Sequence, residues 1–177
     1  MIKKLVLLFC FLCFGCEMTQ DKTQTAVEPP ILISSETVIT KHYLEGGGMY
    51  NREYEITIRG TGEVSFKGNF AFKKPLFREQ WRIPPEDVIH LVKAFRRSGF
   101  FELGDRYGGL AVDGSDTSIS FVTDGNVKKV TRLSWAMNTP EERILKELEL
   151  LINKTVEADS RIRKCCYFPD YSSESIP

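Results

Sequence analysis

The chemistry open to this chain rests on few residues. It has two histidines, five cysteines and one group of aspartates set among glycines, and each suggests a different reaction. His42 stands in a segment rich in β-branched and aromatic residues, and His90 in an amphipathic one. Neither belongs to an HExxH run or to a Cys/His spacing, so a zinc centre has no recognisable donor set. No GxSxG elbow accompanies them, which removes the familiar nucleophile position of a Ser-His-Asp hydrolase. Three glycines follow Glu45, yet no helix start with Lys and Ser/Thr comes after them as in a phosphate-cradling loop.

Carboxylates are what remains. Asp105, Asp113 and Asp116 lie close together in sequence, with Arg106 and Tyr107 beside the first of them. Two such groups flanking a substrate can divide acid and base roles, as hydrolases require. The same residues read equally well as turn formers: Asp113-Gly114 and Ser115-Asp116 lead into a strand, and Asp105-Arg106 brackets a loop. Their spacing does not set oxygens at alternate positions ahead of a glycine, as a calcium-binding EF-hand loop needs. No cofactor and no metal are expected.

A second chemistry is written at the N-terminus. Lys3 and Lys4 precede an uncharged run from Leu5 to Phe14, far short of the ~20 residues that a membrane-spanning helix needs. Gly15-Cys16 closes it, and the chain turns polar at Glu17. This is the pattern of a secretory signal. A small residue before a cysteine at that point resembles the lipobox of bacterial lipoproteins, although Cys13 and Phe14 stand where leucine and a small residue are usual. The resemblance implies cleavage after residue 15, lipidation of Cys16, and anchorage in the cell envelope facing the periplasm. Residues 16–30, polar and without periodicity, form a flexible tether.

Charge and cysteine use agree with an exported domain. The chain balances 24 basic against 24 acidic residues, and loss of the leader removes two lysines, so no bulk charge draws it to nucleic acid. Cys10, Cys13 and Cys16 lie in the leader region, and Cys165 and Cys166 are neighbours, which disfavours a bond between them. With no disulfide framework, an apolar core must hold the fold.

The elements that build this core are clearly marked. EYEITIRGTGEVSFKG folds about Gly60-Thr61-Gly62, setting Ile58 opposite Val64 and Ile56 opposite Phe66 on one face. Arg59, Thr57, Ser65 and Lys67 fall on the other. Asp124-Gly125 turns a second hairpin, with Ile119, Phe121 and Val130 inward and Ser118, Ser120, Lys129 and Thr131 outward. TVITKHYL supplies a further strand. One helix starts at Pro84-Pro85 and ends before Gly99, with Val88, Leu91, Val92 and Phe95 as its stripe. A second opens on the capping box of Thr139 and Glu142 and carries Ile144, Leu145, Leu148, Leu151 and Ile152.

The expected fold is α+β in two layers: an antiparallel sheet of about five strands with helices near 85–98 and 140–155 packed on one face. Residues 31–156 form this single domain and residues 157–177 a C-terminal tail. Between the hairpins, Asn69 to Arg82 interleaves Phe77 and Trp81 with Arg78 and Arg82, the composition of a contact surface. The simpler reading has the aromatics sealing the core and the cations solvated.

The strings EITIRGTGEVSFKGN, SGFF, DRYGG, DGSDTSISF, TDGNVKKV and the TPEE helix together resemble an uncharacterised family of exported bacterial domains, known only as a domain of unknown function. The resemblance covers about residues 33–155. It implies the fold and export, and its motifs are turns and core positions. Family members often carry a cysteine pair just before the first hairpin; here Leu44 to Met49 hold none, so no metal or redox role transfers. The combined expectation is a noncatalytic binding domain at the envelope. Its candidate surface residues are Trp81, Arg82, Asp105, Arg106, Tyr107, Asp113 and Asp116, its partner an envelope protein or glycan. A structural or stress-related envelope role, and a hydrolase using the loop carboxylates, are the other readings.

Overall fold

The sheet is organised by a strand that neither hairpin contains. In the computed structural model, which describes residues 33–46, 52–70, 76–109, 114–133 and 138–166, strand β1 (Val38–Glu45) lies at the centre. On one side it pairs with β2 (Arg52–Arg59), followed outward by β3 (Glu63–Phe70) and β4 (Phe77–Arg82). On the other it pairs with β6 (Ser115–Thr123), followed by β7 (Asn126–Leu133) and the two-residue β5 (Arg106–Tyr107). The order is β4-β3-β2-β1-β6-β7-β5, antiparallel throughout except where β5 runs parallel to β7.

Both hairpins take the registers that side-chain alternation demands. Ile58 faces Val64, Ile56 faces Phe66 and Glu55 faces Lys67 in the first; Ile119 faces Val130 and Phe121 faces Lys128 in the second. The turns differ in kind. Gly62 takes a φ of 82° to close the three-residue loop, while Asp124 and Gly125 both take positive φ, 51° and 76°, in a tight two-residue turn.

Three helices cover one face. Helix α1 (Pro85–Arg97) has prolines at its start, acidic residues in its first turn and arginines in its last. Gly99, at φ 66°, then turns the chain into a short 3₁₀ segment that buries Phe100. Helix α2 (Pro140–Thr155) has the full capping box of Thr139 and Glu142. Val88, Leu91, Val92 and Phe95 from α1, and Leu145, Leu148 and Ile152 from α2, meet Ile39, Ile56, Ile58, Phe66, Ile119 and Phe121 in one core. Phe95, Phe100, Phe101 and Phe121 stack edge-on or tilted at one end of it.

The architecture exceeds the sequence expectation in three places. The sheet has seven strands where about five were expected, because β4 and β5 were not read as strands. In β4, Phe77, Glu79 and Trp81 alternate inward, and an acid among the inward residues blurs the period-two signal; β5 is too short to show one. A third helix, α3 (Ala158–Cys166), occupies the start of what reads as a polar tail. Its apolar content is low, and Arg161 holds it. The guanidinium stacks on Trp81 at 3.6 Å, pairs with Glu79 at 3.3 Å, and donates to the Val156 and Glu157 carbonyls at the end of α2.

The two hairpin turns differ in how much space they leave. A Cβ on Gly62 would sit 2.6 Å from the Ile83 carbonyl oxygen, whereas one on Gly125 meets nothing within 4 Å. Gly125→Ala is therefore expected to cost about 1–2 kcal/mol, the left-handed backbone term alone. Gly62→Ala adds a backbone clash and is expected to cost clearly more in urea unfolding; equal losses would show that the β2–β3 turn relaxes away from Ile83.

Candidate functional site

The helices leave the second face of the sheet uncovered among the described residues. Because every pairing in it is in register, outward side chains line up across the strands. One row runs Arg78, Lys67, Glu55, His42, Ser118, Thr131 from β4 to β7. The adjacent row runs Gln80, Ser65, Thr57, Thr40, Ser120, Lys129. Four hydroxyls thus stand side by side on four neighbouring strands, one per strand spacing of ~4.8 Å.

Contacts on this face are local. His42 Nε2 lies 2.8 Å from Glu53 Oε1, Lys67 Nζ 3.4 Å from Glu55 Oε1, and the Ser118 and Thr131 hydroxyls are hydrogen-bonded at 2.9 Å. Arg78 and Lys129, at opposite ends, are exposed and have no carboxylate partner among the described residues. Three depressions adjoin along this face. One of about 280 Å³ is lined by Thr40, His42, Glu55, Ser118, Ser120 and Lys129. A second of about 240 Å³ shares His42 and Glu55 and reaches Lys67, and a third of about 350 Å³ runs from Lys67 past Ser65 to Arg78 and Gln80. Together they make a shallow trough across six strands, five spacings or about 24 Å long.

The residues singled out from sequence do not gather in one place. Trp81 points to the helical side, its ring covered by Arg161. Arg82 is exposed, opposite Glu63. Asp105 extends into solvent and takes an ion pair from Lys128 at 2.6 Å. Arg106 is exposed at the β5 edge, and Tyr107 accepts the Gly104 N–H at 2.7 Å, a local bracket. Asp116 is the second residue of β6, opposite Leu44 and Leu133, whereas Asp105 precedes β5. Asp113 and Cys16 lie outside the described residues. Asp105, before β5, and Asp116, on β6, are separated by β7 and line none of the depressions described above, so they are not brought together as a pair. Among the described residues no three metal-binding side chains converge.

A family model for a domain of unknown function, DUF6438, matches residues 52–156. The chain belongs to that family. The DUF6438 match runs from the first residue of β2 to Val156, just past α2, so the central strand β1 and helix α3 lie outside it. No curated protein matches the chain.

A second polar group, hidden under the helices, was missed at the sequence level. Lys41 on β1 is fully buried on the core face. Its Nζ donates to Asn153 Oδ1 at 2.7 Å and Tyr54 Oη at 3.0 Å, and pairs with Glu149 Oε1 at 3.2 Å. Arg132 Nη2 holds the other oxygen of Glu149 at 2.7 Å. Burial pushes the Lys41 amine below the usual lysine range, opposed by the charge and hydrogen bond of Glu149. Tyr43, stacked on Tyr54 at 5.0 Å, is pushed up by burial against a hydrogen bond from Ser115. The signal was present: Lys41 falls in phase with Ile39 and Tyr43, and Glu149 and Asn153 follow Leu145 at helical spacing.

This cluster is a tie between layers, and its cost depends on pairing. Glu149→Leu strands a buried ammonium and is expected to lose about 3–5 kcal/mol. Adding Lys41→Met should restore most of that, a coupling read from a double-mutant cycle. In Glu149→Leu the unfolded state binds the proton that the native amine sheds. Its deficit should therefore shrink as pH rises toward the unfolded lysine value of 10.5. A deficit independent of pH would place the loss in packing instead.

Proposed function

We propose that this DUF6438 protein is a cell-envelope lipoprotein, anchored through lipidated Cys16, whose domain binds an envelope component on the open face of its sheet without transforming it. One observation carries the binding half of this reading: the trough of aligned hydroxyl and charged side chains on a sheet face that no described helix covers. Polar sheet faces are commonly solvated, but three adjoining depressions with a cation at each end are a surface shaped for contact. The chemistry on it favours holding over reaction. Its histidine and carboxylates are engaged by exposed neighbours in a wide, shallow setting that excludes little water.

The anchoring half rests on the leader: Lys3-Lys4, the apolar run to Phe14, and Gly15-Cys16. None of the described helices is long and apolar enough to cross a membrane, and the proposed attachment needs none. Two lipid chains on one N-terminal residue suffice for stable anchorage, and residues 17–30 give the domain reach away from the bilayer.

Intact mass and membrane partition in a bacterial host test the anchor. The wild type should carry acyl chains and sediment with membranes, and Cys16→Ser should lose both; an unmodified, soluble wild type would remove the envelope-lipoprotein reading. A photo-crosslinking group at Thr57, on the open face between Thr40 and Ser65, should capture a discrete envelope component in cells. The same group at Lys146, exposed on α2, should not, and equal capture from both would count against the open face.

A further inference from the structure

We infer that the ligand of the open face is an extended acidic oligosaccharide lying across the strands, an inference that rests on the binding-domain reading above and names its ligand class. The spacing of hydroxyls carries it. A polymer crossing this face at right angles to the strands meets Ser65, Thr57, Thr40 and Ser120 in turn, one per ~4.8 Å. Each sugar of an extended 1,4-linked chain advances by close to one strand spacing, so a sugar reaches each hydroxyl in turn. An extended peptide presents same-side groups every ~6.8 Å and falls out of step within a few residues.

The donor and acceptor types agree. Serine and threonine hydroxyls both donate and accept, which matches sugar hydroxyls, and Gln80 beyond Ser65 does the same through its amide. Charge sets the acidity of the ligand. The acids at the centre of the trough are already engaged, Glu53 by His42 and Glu55 by Lys67. Among the residues that line the depressions, Arg78 at one end and Lys129 at the other have no carboxylate partner among the described residues; Asp116, on the same face, lines none of them. Two cations about 24 Å apart suit carboxylates near the two ends of a chain of about six sugars, and a guanidinium can take a carboxylate through two hydrogen bonds. The trough is long, shallow and open, the shape for a polymer segment and not for an enclosed small molecule.

The test uses the full chain in detergent and fluorescently end-labelled oligogalacturonates graded from disaccharide to octasaccharide, read by anisotropy. Cello-oligosaccharides of the same lengths serve as neutral probes and polyglutamate as an acidic peptide. Affinity for oligogalacturonate should rise with length to about six sugars and then level, and should fall as salt is added. Arg78→Ala and Lys129→Ala should each weaken binding about tenfold, while Lys146→Ala leaves it unchanged; these are exposed positions, and thermal melting confirms that each variant is folded.

Binding of neutral probes as tight as that of acidic ones, or affinity independent of length, overturns the assignment. Polyglutamate binding that depends on Arg78 and Lys129, without oligogalacturonate binding, also overturns it while leaving the open face as a binding surface. Failure of both probes overturns it too, and the crosslink from Thr57 then decides the wider reading separately.

Discussion

A fully buried ammonium at the centre of the sheet is the constraint that the rest of this structure answers to. Lys41 sits on the middle strand, on the face covered by helices, where an unpaired charge would be expensive. Its partners come from both layers: Tyr54 from the neighbouring strand, Glu149 and Asn153 from α2. Arg132 on β7 grips the same Glu149, so α2 is tied to both β1 and β7. Apolar packing alone would allow α2 to slide along a greasy groove. The ion pairs define one position for it.

With its helices committed to that face, the domain has its other face left to present. Seven strands in continuous register convert a local property, alternation within each strand, into a two-dimensional array. No single strand carries the trough. Thr40 and His42 come from β1, Ser118 and Ser120 from β6, Thr57 from β2, Ser65 and Lys67 from β3, and the rows exist because β1 joins the two hairpins without a slip. The placement of the family match has meaning here: the strand that aligns both halves lies before the matched segment.

Local interactions were legible in the sequence and non-local ones were not. Both hairpin registers, the Gly99 stop of α1 and the Thr139 capping box follow from residues within reach of one another along the chain. The meeting of the hairpins was not legible, because it depends on β1 pairing with β6 across a long stretch of chain. Helix α3 was hidden for a related reason: Arg161 reads as a solvated cation until Trp81 and Glu79 are brought beneath it. For the candidate site, the polar residues of the open face could be named, since alternation exposes them. Their alignment into rows required strand order. Asp105 and Asp116 are close only along the sequence and are placed separately in three dimensions, and Trp81, from a different segment, is engaged by Arg161.

The central position of β1 also shapes how the chain acquires its fold. Strands β1 to β4 are consecutive and neighbouring, so that half of the sheet can assemble from contacts of low sequence separation, while the β1–β6 pairing closes a much longer loop and is the slower event. Until β6 arrives, β1 is an exposed edge carrying Ile39 and Tyr43, a template for pairing with other chains. Lys41 stands between them on the same face. An inward-pointing charge is one of the devices by which edge strands discourage association, so the residue that later locks α2 in place also guards the half-built sheet against aggregation.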